Sequence, residues 1–227
     1  MPRLSSCLFG ALVAVCLAPR GAAAQVNTDV GLSAGAVKRF ATGASLGVSD
    51  PGFGPMAQLQ AHLAIFPMVR AGLYASWDYS PMPGAGTRNF YEGGLHFRFT
   101  PPLLPTPWKA YLFTGIGAAY VHVDSYASAL GTNMAGLPPS TQVRWQSLDG
   151  GLFELPLGLG LARKLGARWE VFAELGGRFG LGFFGRAYDA ANTASGSPIA
   201  NAPLPAANFT GVDSFALTLC AGVSWSD

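Results

Sequence analysis

Cysteine is almost missing from this chain. Of three in 227 residues, Cys7 and Cys16 lie near the start, and Cys220 stands alone far from them. A chain that loses its first segment could form no internal disulfide and could hold no cysteine metal cluster. Charge is scarce as well: Asp, Glu, Lys and Arg make up 11% of the residues, against about 25% in an ordinary soluble domain. No basic patch of the kind that binds nucleic acid is present. Long apolar runs are the third absence. After the first two dozen or so residues nothing approaches the roughly 18 consecutive apolar residues of a spanning helix. High apolar content, few charges and no spanning helix leave one membrane solution, a closed barrel whose backbone hydrogen bonds are all made between strands.

The start of the chain has the order of an export signal. Arg3 supplies a basic end, Leu8 to Ala18 a short apolar core, and Ala22, Ala23 and Ala24 a small-residue site before Gln25. This pattern predicts a signal peptide over 1–24, cleaved after Ala24, with 25–227 as one domain. Losing Arg3 and Arg20 takes the formal charge from +2 to zero.

What is present is alternation, clearest from Phe153 to Leu181. Phe153, Leu155, Leu157, Leu159 and Leu161 share one face, while Glu154, Pro156, Gly158, Gly160 and Ala162 share the other. Beyond a short break, Trp169, Val171, Ala173, Leu175, Phe179 and Leu181 oppose Glu170, Phe172, Glu174, Gly176, Arg178 and Gly180. A period of two means extended strands, and the break at 163–168 reads as a hairpin turn. A soluble sheet shows water a face rich in Lys, Glu and Thr. Here the second face is glycine with isolated charges, which suits the interior of a small barrel with its greasy face in lipid.

The rest of the chain repeats the pattern. Strands are predicted over Thr28 to Val37, Met56 to Phe66, Val69 to Tyr79, Phe90 to Phe99, Tyr111 to Asp124 and Asp213 to Trp225. With the central hairpin they make eight, each about the 9–11 residues a tilted membrane strand needs. The fold class is therefore all-β, an eight-stranded antiparallel up-and-down transmembrane β-barrel. In the fifth strand Tyr111, Phe113, Val121 and Val123 are assigned outward, against Leu112 and Ile116. Lys38 to Pro55, Ser80 to Thr87, Ser125 to Gln146 and Gly182 to Thr210 read as loops, alternating with tighter turns near Pro67, Pro101 to Pro107 and 163–168. Short periplasmic turns and longer outer loops are the asymmetry of outer-membrane barrels.

Aromatic residues gather near strand ends. Trp108, Tyr111, Trp169 and Trp225 fall at the turn side, with Trp77, Tyr79, Tyr91 and Trp145 at the loop side, as two interfacial girdles. Inward parity falls on Arg70, Asp78, Glu92, Arg98, Glu154, Glu170, Glu174 and Arg178, with His62 and His96. Charges in a narrow interior need partners, so a lumen-filling Glu/Arg network is expected. A turn centred on Gly166 sets Glu154 directly opposite Arg178.

Here the chain resembles the small eight-stranded outer-membrane barrels, the family of the outer membrane protein A transmembrane domain and outer membrane protein X. The strand Tyr111 to Tyr120 and the hairpin Leu155 to Gly176 carry the resemblance. The chain departs from the family at its end, where Ser226 and Asp227 follow Trp225 in place of a terminal aromatic. Pro156, inside a strand with two neighbours, predicts a local bulge. The resemblance implies localisation in a bacterial outer membrane. It also implies a monomer without cofactor or metal, with lipid, lipopolysaccharide, periplasmic chaperones and the barrel-assembly machinery as partners. The expected role is structural or interactive, through the outer loops. The competing readings are a small-solute or hydrophobic-compound channel resembling outer membrane protein W, a lipid A-modifying barrel enzyme, and a soluble lipocalin-like barrel.

Catalytic motifs give nothing firmer. Gly31 to Gly35 and Gly43 to Gly47 spell Gly-x-Ser-x-Gly, but no helix follows either one, as a nucleophile elbow requires. None of His62, His96 and His122 has the serine two residues on that barrel deacylases pair with histidine. No enzyme is expected.

Overall fold

The computed structural model of the chain describes residues 27–41, 52–82, 86–124, 126–129, 142–145, 148–185 and 212–226. The expected signal peptide lies outside these residues, as does most of the expected loop from Gly182 to Thr210. Ten strands are described: β1 (Thr28–Ala41), β2 (Phe53–Phe66), β3 (Val69–Met82), β4 (Gly86–Phe99), β5 (Trp108–Val123), β6 (Tyr126–Ala129), β7 (Gln142–Trp145), β8 (Leu148–Lys164), β9 (Trp169–Gly185) and β10 (Val212–Ser226). Eight of them close into an antiparallel barrel in the order β1-β10-β9-β8-β5-β4-β3-β2, and β6 and β7 pair separately as a ribbon.

The wall is inverted relative to a soluble protein. Leu32, Leu73, Leu95, Leu112, Ile116, Leu157, Leu159, Leu175 and Leu219 are exposed on its outside, while Asp29, His62, Asp78, Glu92, Glu154 and Arg178 are buried within. Leu219 is 59% exposed and its neighbour Cys220 5%. So large a continuous apolar exterior is tolerated only against lipid.

Alternation placed the faces of seven barrel strands as expected; β5 is the exception. Tyr111 and Val121 are buried in the lumen, and Leu112, Ile116 and Tyr120 are exposed outside. Tyr111 is thus a lumen residue and not a girdle residue. The reason lies on β8: a Cβ at Gly160 would sit 2.2 Å from the Tyr111 ring, and one at Gly158 would sit 2.5 Å from Phe113. Glycines on one strand make the space that aromatic rings from the next strand fill.

Strand ends also differ from expectation. β1 continues through Lys38 and Arg39 to Ala41, beyond the expected end at Val37. β3 and β4 run on until only 83–85 separate them. That connection is tighter than the 100–107 turn at the other end, so the short-long alternation fails there. Pro156 causes no bulge: β5 and β8 hold one register from Thr114↔Leu157 to Gly117↔Glu154, with the ladder merely interrupted between. The register shift of β8 falls instead between Gly151 and Phe153. Trp145 lies in the β6–β7 ribbon, opposite Tyr126, and not at a barrel strand end.

Close approach of backbones makes some glycines obligatory. A Cβ at Gly72 would lie 1.8 Å from the Ala61 carbonyl oxygen, whereas one at Gly93 meets nothing nearer than 3.5 Å. Gly72→Ala is expected to lower stability by about 1–3 kcal/mol in urea unfolding from lipid vesicles. Gly93→Ala should be nearly neutral, and the native protein should migrate on gels in a heat-modifiable way.

Candidate functional site

The lumen holds two polar tiers. The lower one lies toward the short turns. His62 bridges Asp29 through Nδ1 at 2.8 Å and His96 through Nε2 at 2.8 Å. Asp29 also pairs with Arg70. Arg98 donates to Glu174 Oε1 at 2.8 Å, and the Tyr111 hydroxyl donates to the same oxygen at 2.8 Å. The Arg98 guanidinium stands 4.6 Å from the Tyr111 ring centre, so a cation–π contact adds to the ion pair. Lys109 and Glu170 pair at the rim.

The upper tier is organised by Arg39. Its Nε and Nη2 donate to the two Asp78 oxygens at 3.2 and 2.7 Å, a bidentate fork. Nη2 also donates to Glu92 at 2.5 Å, and Nη1 to Glu154 at 3.1 Å. One guanidinium on β1 thereby ties β3, β4 and β8 across the axis, using the fixed fork geometry that only arginine offers. Ser76 donates to Glu92 at 2.5 Å. Arg178 pairs with Glu92, lies 3.7 Å from Asp78 and 4.0 Å from Glu154, and donates to Gln58 at 3.2 Å. Arg39 is 0% exposed.

Between the tiers is a cavity of about 10 Å³, lined by Tyr74, His96, Phe113, Pro156, Arg178 and Cys220 among others. That volume is at the lower limit for one water. Above the upper tier Phe90, Ala119, Val121 and Leu152 form an apolar layer, joined by Phe183. The Arg39 guanidinium stacks 3.5 Å from the Phe90 ring centre and so links the two layers.

Every member of the expected network, Arg70, Glu92, Arg98, Glu154, Glu170, Glu174 and Arg178, lies inside the barrel or at its rim. Their pairing differs from expectation. Glu154 stands opposite Gly180, and Arg178 opposite Pro156, because the last β8–β9 pair is Lys164 with Glu170, which centres the turn on Ala167 and not on Gly166. Sequence reasoning missed Arg39, which it assigned to a loop, and it left Asp29 without a role. The signal for Arg39 was present: Val37 and Arg39 continue the inward parity of Asp29, Ser33 and Gly35.

Of the expected girdle residues, Trp108 and Trp169 are exposed at strand starts, while Trp77 and Tyr91, cross-strand partners, are exposed on the outer wall five residues inside the ends of β3 and β4. Tyr79 and Trp225 are half-buried. Around Trp77 a polar cluster covers the loop end of the wall. Trp77 Nε1 donates to Asn89 at 3.3 Å, His122 Nδ1 contacts Asp149 at 2.7 Å, and the Tyr120 hydroxyl donates to Asp149 at 2.6 Å. Among the described residues no three His, Cys, Asp or Glu side chains are arranged to hold a metal ion.

An apolar-walled, polar-cored, closed eight-stranded barrel is the architecture of the outer-membrane β-barrels. Comparison with solved structures agrees with this. The chain is similar to a major outer membrane protein from Thermus thermophilus, at 14% identity and TM-score 0.51, over 88% of this chain and 99% of that one. It also matches Neisserial surface protein A (13%, TM-score 0.48, 87% and 96%) and Ail, the attachment invasion locus protein of Yersinia pestis (13%, TM-score 0.44, 89% and 99%). No protein-family profile and no curated protein matches the chain. At such identities the likeness is one of fold. Together with the lipid-facing wall it makes the chain a membrane-spanning β-barrel with the fold of the outer-membrane barrels.

Removing one partner from a buried ion cluster leaves uncompensated charge and typically costs about 3–5 kcal/mol. Arg39→Met leaves Asp78, Glu92 and Glu154 with Arg178 as their one remaining described cation, so a loss of that order is expected in urea unfolding from vesicles. Arg39→Met combined with Asp78→Asn should recover part of it.

Proposed function

We propose that this barrel is closed along its axis and that its role is structural and interactive, carried by the segments at its loop end. The Arg39 cluster is the observation that carries this reading. A guanidinium bonded to carboxylates from three strands, capped by Phe90, Val121 and Leu152, crosses the axis where a pore would have to run. An aqueous path needs room, and the cavity beside Tyr74 is about 10 Å³.

The protein acts without catalysis in this reading. Both ring nitrogens of His62 are engaged, Nδ1 by Asp29 and Nε2 by His96, inside the closed lumen. The segment joining β9 to β10, 186–211, is the longest connection and is rich in Ala, Asn, Ser and Pro. Loops of this kind are where barrels carry recognition. The partners proposed are outer-membrane lipid, lipopolysaccharide, and the chaperones and machinery that insert barrels, with the chain acting as a monomer.

Single-channel recording in planar bilayers tests the reading. The native protein should leave the membrane at its baseline conductance. Combined replacement of Arg39 and Phe90 by alanine should open measurable current. A steady conductance from the native protein would support a small-solute channel instead.

A further inference from the structure

The turn end of the barrel carries positive charge that the lumen does not neutralise. There Arg70 is held by Asp29, Arg98 by Glu174 and Lys109 by Glu170. Arg163, Lys164 and Arg168, at the β8–β9 turn, are all exposed. Among the described residues none of the three has a carboxylate partner.

These cations sit in a defined apolar frame. The Arg163 guanidinium stacks 5.3 Å over the ring of Trp108, its cross-strand partner. Leu165, in the same turn, is 56% exposed, and Leu103, in the neighbouring 100–107 turn, is 72% exposed. The Lys164 amide donates to the Pro107 carbonyl at 3.0 Å, which ties the two turns together, and the Leu165 amide donates to the Trp169 carbonyl at 2.8 Å, which closes the β8–β9 turn. Exposed leucines and an indole beside arginines with no carboxylate partner among the described residues match the boundary of a bilayer, with apolar groups at acyl depth and cations at phosphate depth.

We propose that this patch is a binding site for the headgroup phosphate of an anionic phospholipid in the leaflet that meets the short turns. Arg163 and Arg168 supply the planar donors suited to phosphate, Lys164 adds charge from the inner side of the rim, and Trp108, Leu103 and Leu165 rest against the upper acyl chain. A zwitterionic lipid carries its own cation and gains little from the patch; an anionic one gains the full attraction. The inference rests on the membrane-spanning fold and is independent of whether the lumen conducts.

Tryptophan fluorescence tests it. The full protein is reconstituted in phosphatidylcholine vesicles containing a minority of lipid brominated close to the headgroup, either phosphatidylcholine or phosphatidylglycerol. Phosphatidylglycerol should quench preferentially, with an apparent association stronger by about five-fold for each cation engaged. Arg163→Gln with Arg168→Gln should remove most of that preference, Arg163→Lys with Arg168→Lys should keep much of it, and Lys38→Gln at the opposite rim should leave it intact. Heat-modifiable migration of each variant separates loss of the site from loss of the barrel. Equal quenching by the two lipids would overturn the proposal. So would an unchanged preference in the Arg→Gln pair, an equal loss in Lys38→Gln, or competition by inorganic phosphate beyond that of chloride at matched ionic strength.

Discussion

In hydrocarbon a backbone amide or carbonyl has no water to bond to, so every strand needs a partner on both sides. That constraint underlies everything else in this molecule. It forces β1 back onto β10, where Asp29 to Phe40 pair with Ser226 to Phe215 in an unbroken register. Closure then fixes what each side chain can see. Odd and even positions look at lipid or at the axis, and with eight strands the axis is narrow. Glycine on the inner face is one answer to that narrowness; the other is to fill the centre with side chains that satisfy each other.

Filling the centre with charge carries an electrostatic condition. A buried carboxylate is tolerable when its lone pairs are met and its charge is balanced. The two tiers meet this condition differently. Near the turns the groups act in small sets, Asp29 with His62 and Arg70, Glu174 with Arg98 and Tyr111. Farther up, Asp78, Glu92 and Glu154 share Arg39 and Arg178. A shared cluster binds several strands at once, so it specifies their relative heights as well as neutralising charge. The apolar layer around Phe90 lies immediately beyond it and keeps the upper tier out of contact with water.

Much of this was legible in the residue order. The Leu155–Leu161 alternation against glycine is a local signal, and it named the lipid face of β8 without reference to any other strand. β5 defeated the same reasoning because both its faces carry large apolar groups. Tyr111 and Leu112 are equally at home in lipid; the choice between them was made by Gly160, which lies 49 positions away and is paired with Tyr111 only in the folded wall. Arg39 was hidden for a related reason. A Lys-Arg pair beside a Gly/Ser/Pro-rich segment looks like the start of a loop, and nothing nearby announces three carboxylates on other strands.

Sequence alone therefore determined the number of strands in the barrel, the closed topology that an apolar chain without spanning helices requires, and the inside-out sense of the wall; the β6–β7 ribbon, in a segment read as a loop, was not among them. All of these follow from local alternation and from the solvent the exterior must meet. Tertiary structure decided which charges meet, which face of β5 turns inward and where the upper tier is anchored. The contacts that made those decisions join residues 115 positions apart, as in Arg39 with Glu154, or 120, as in Arg178 with Gln58. A period of two carries no information about such partners. They are set by strand register around a closed ring, and that register exists only once the ring has closed.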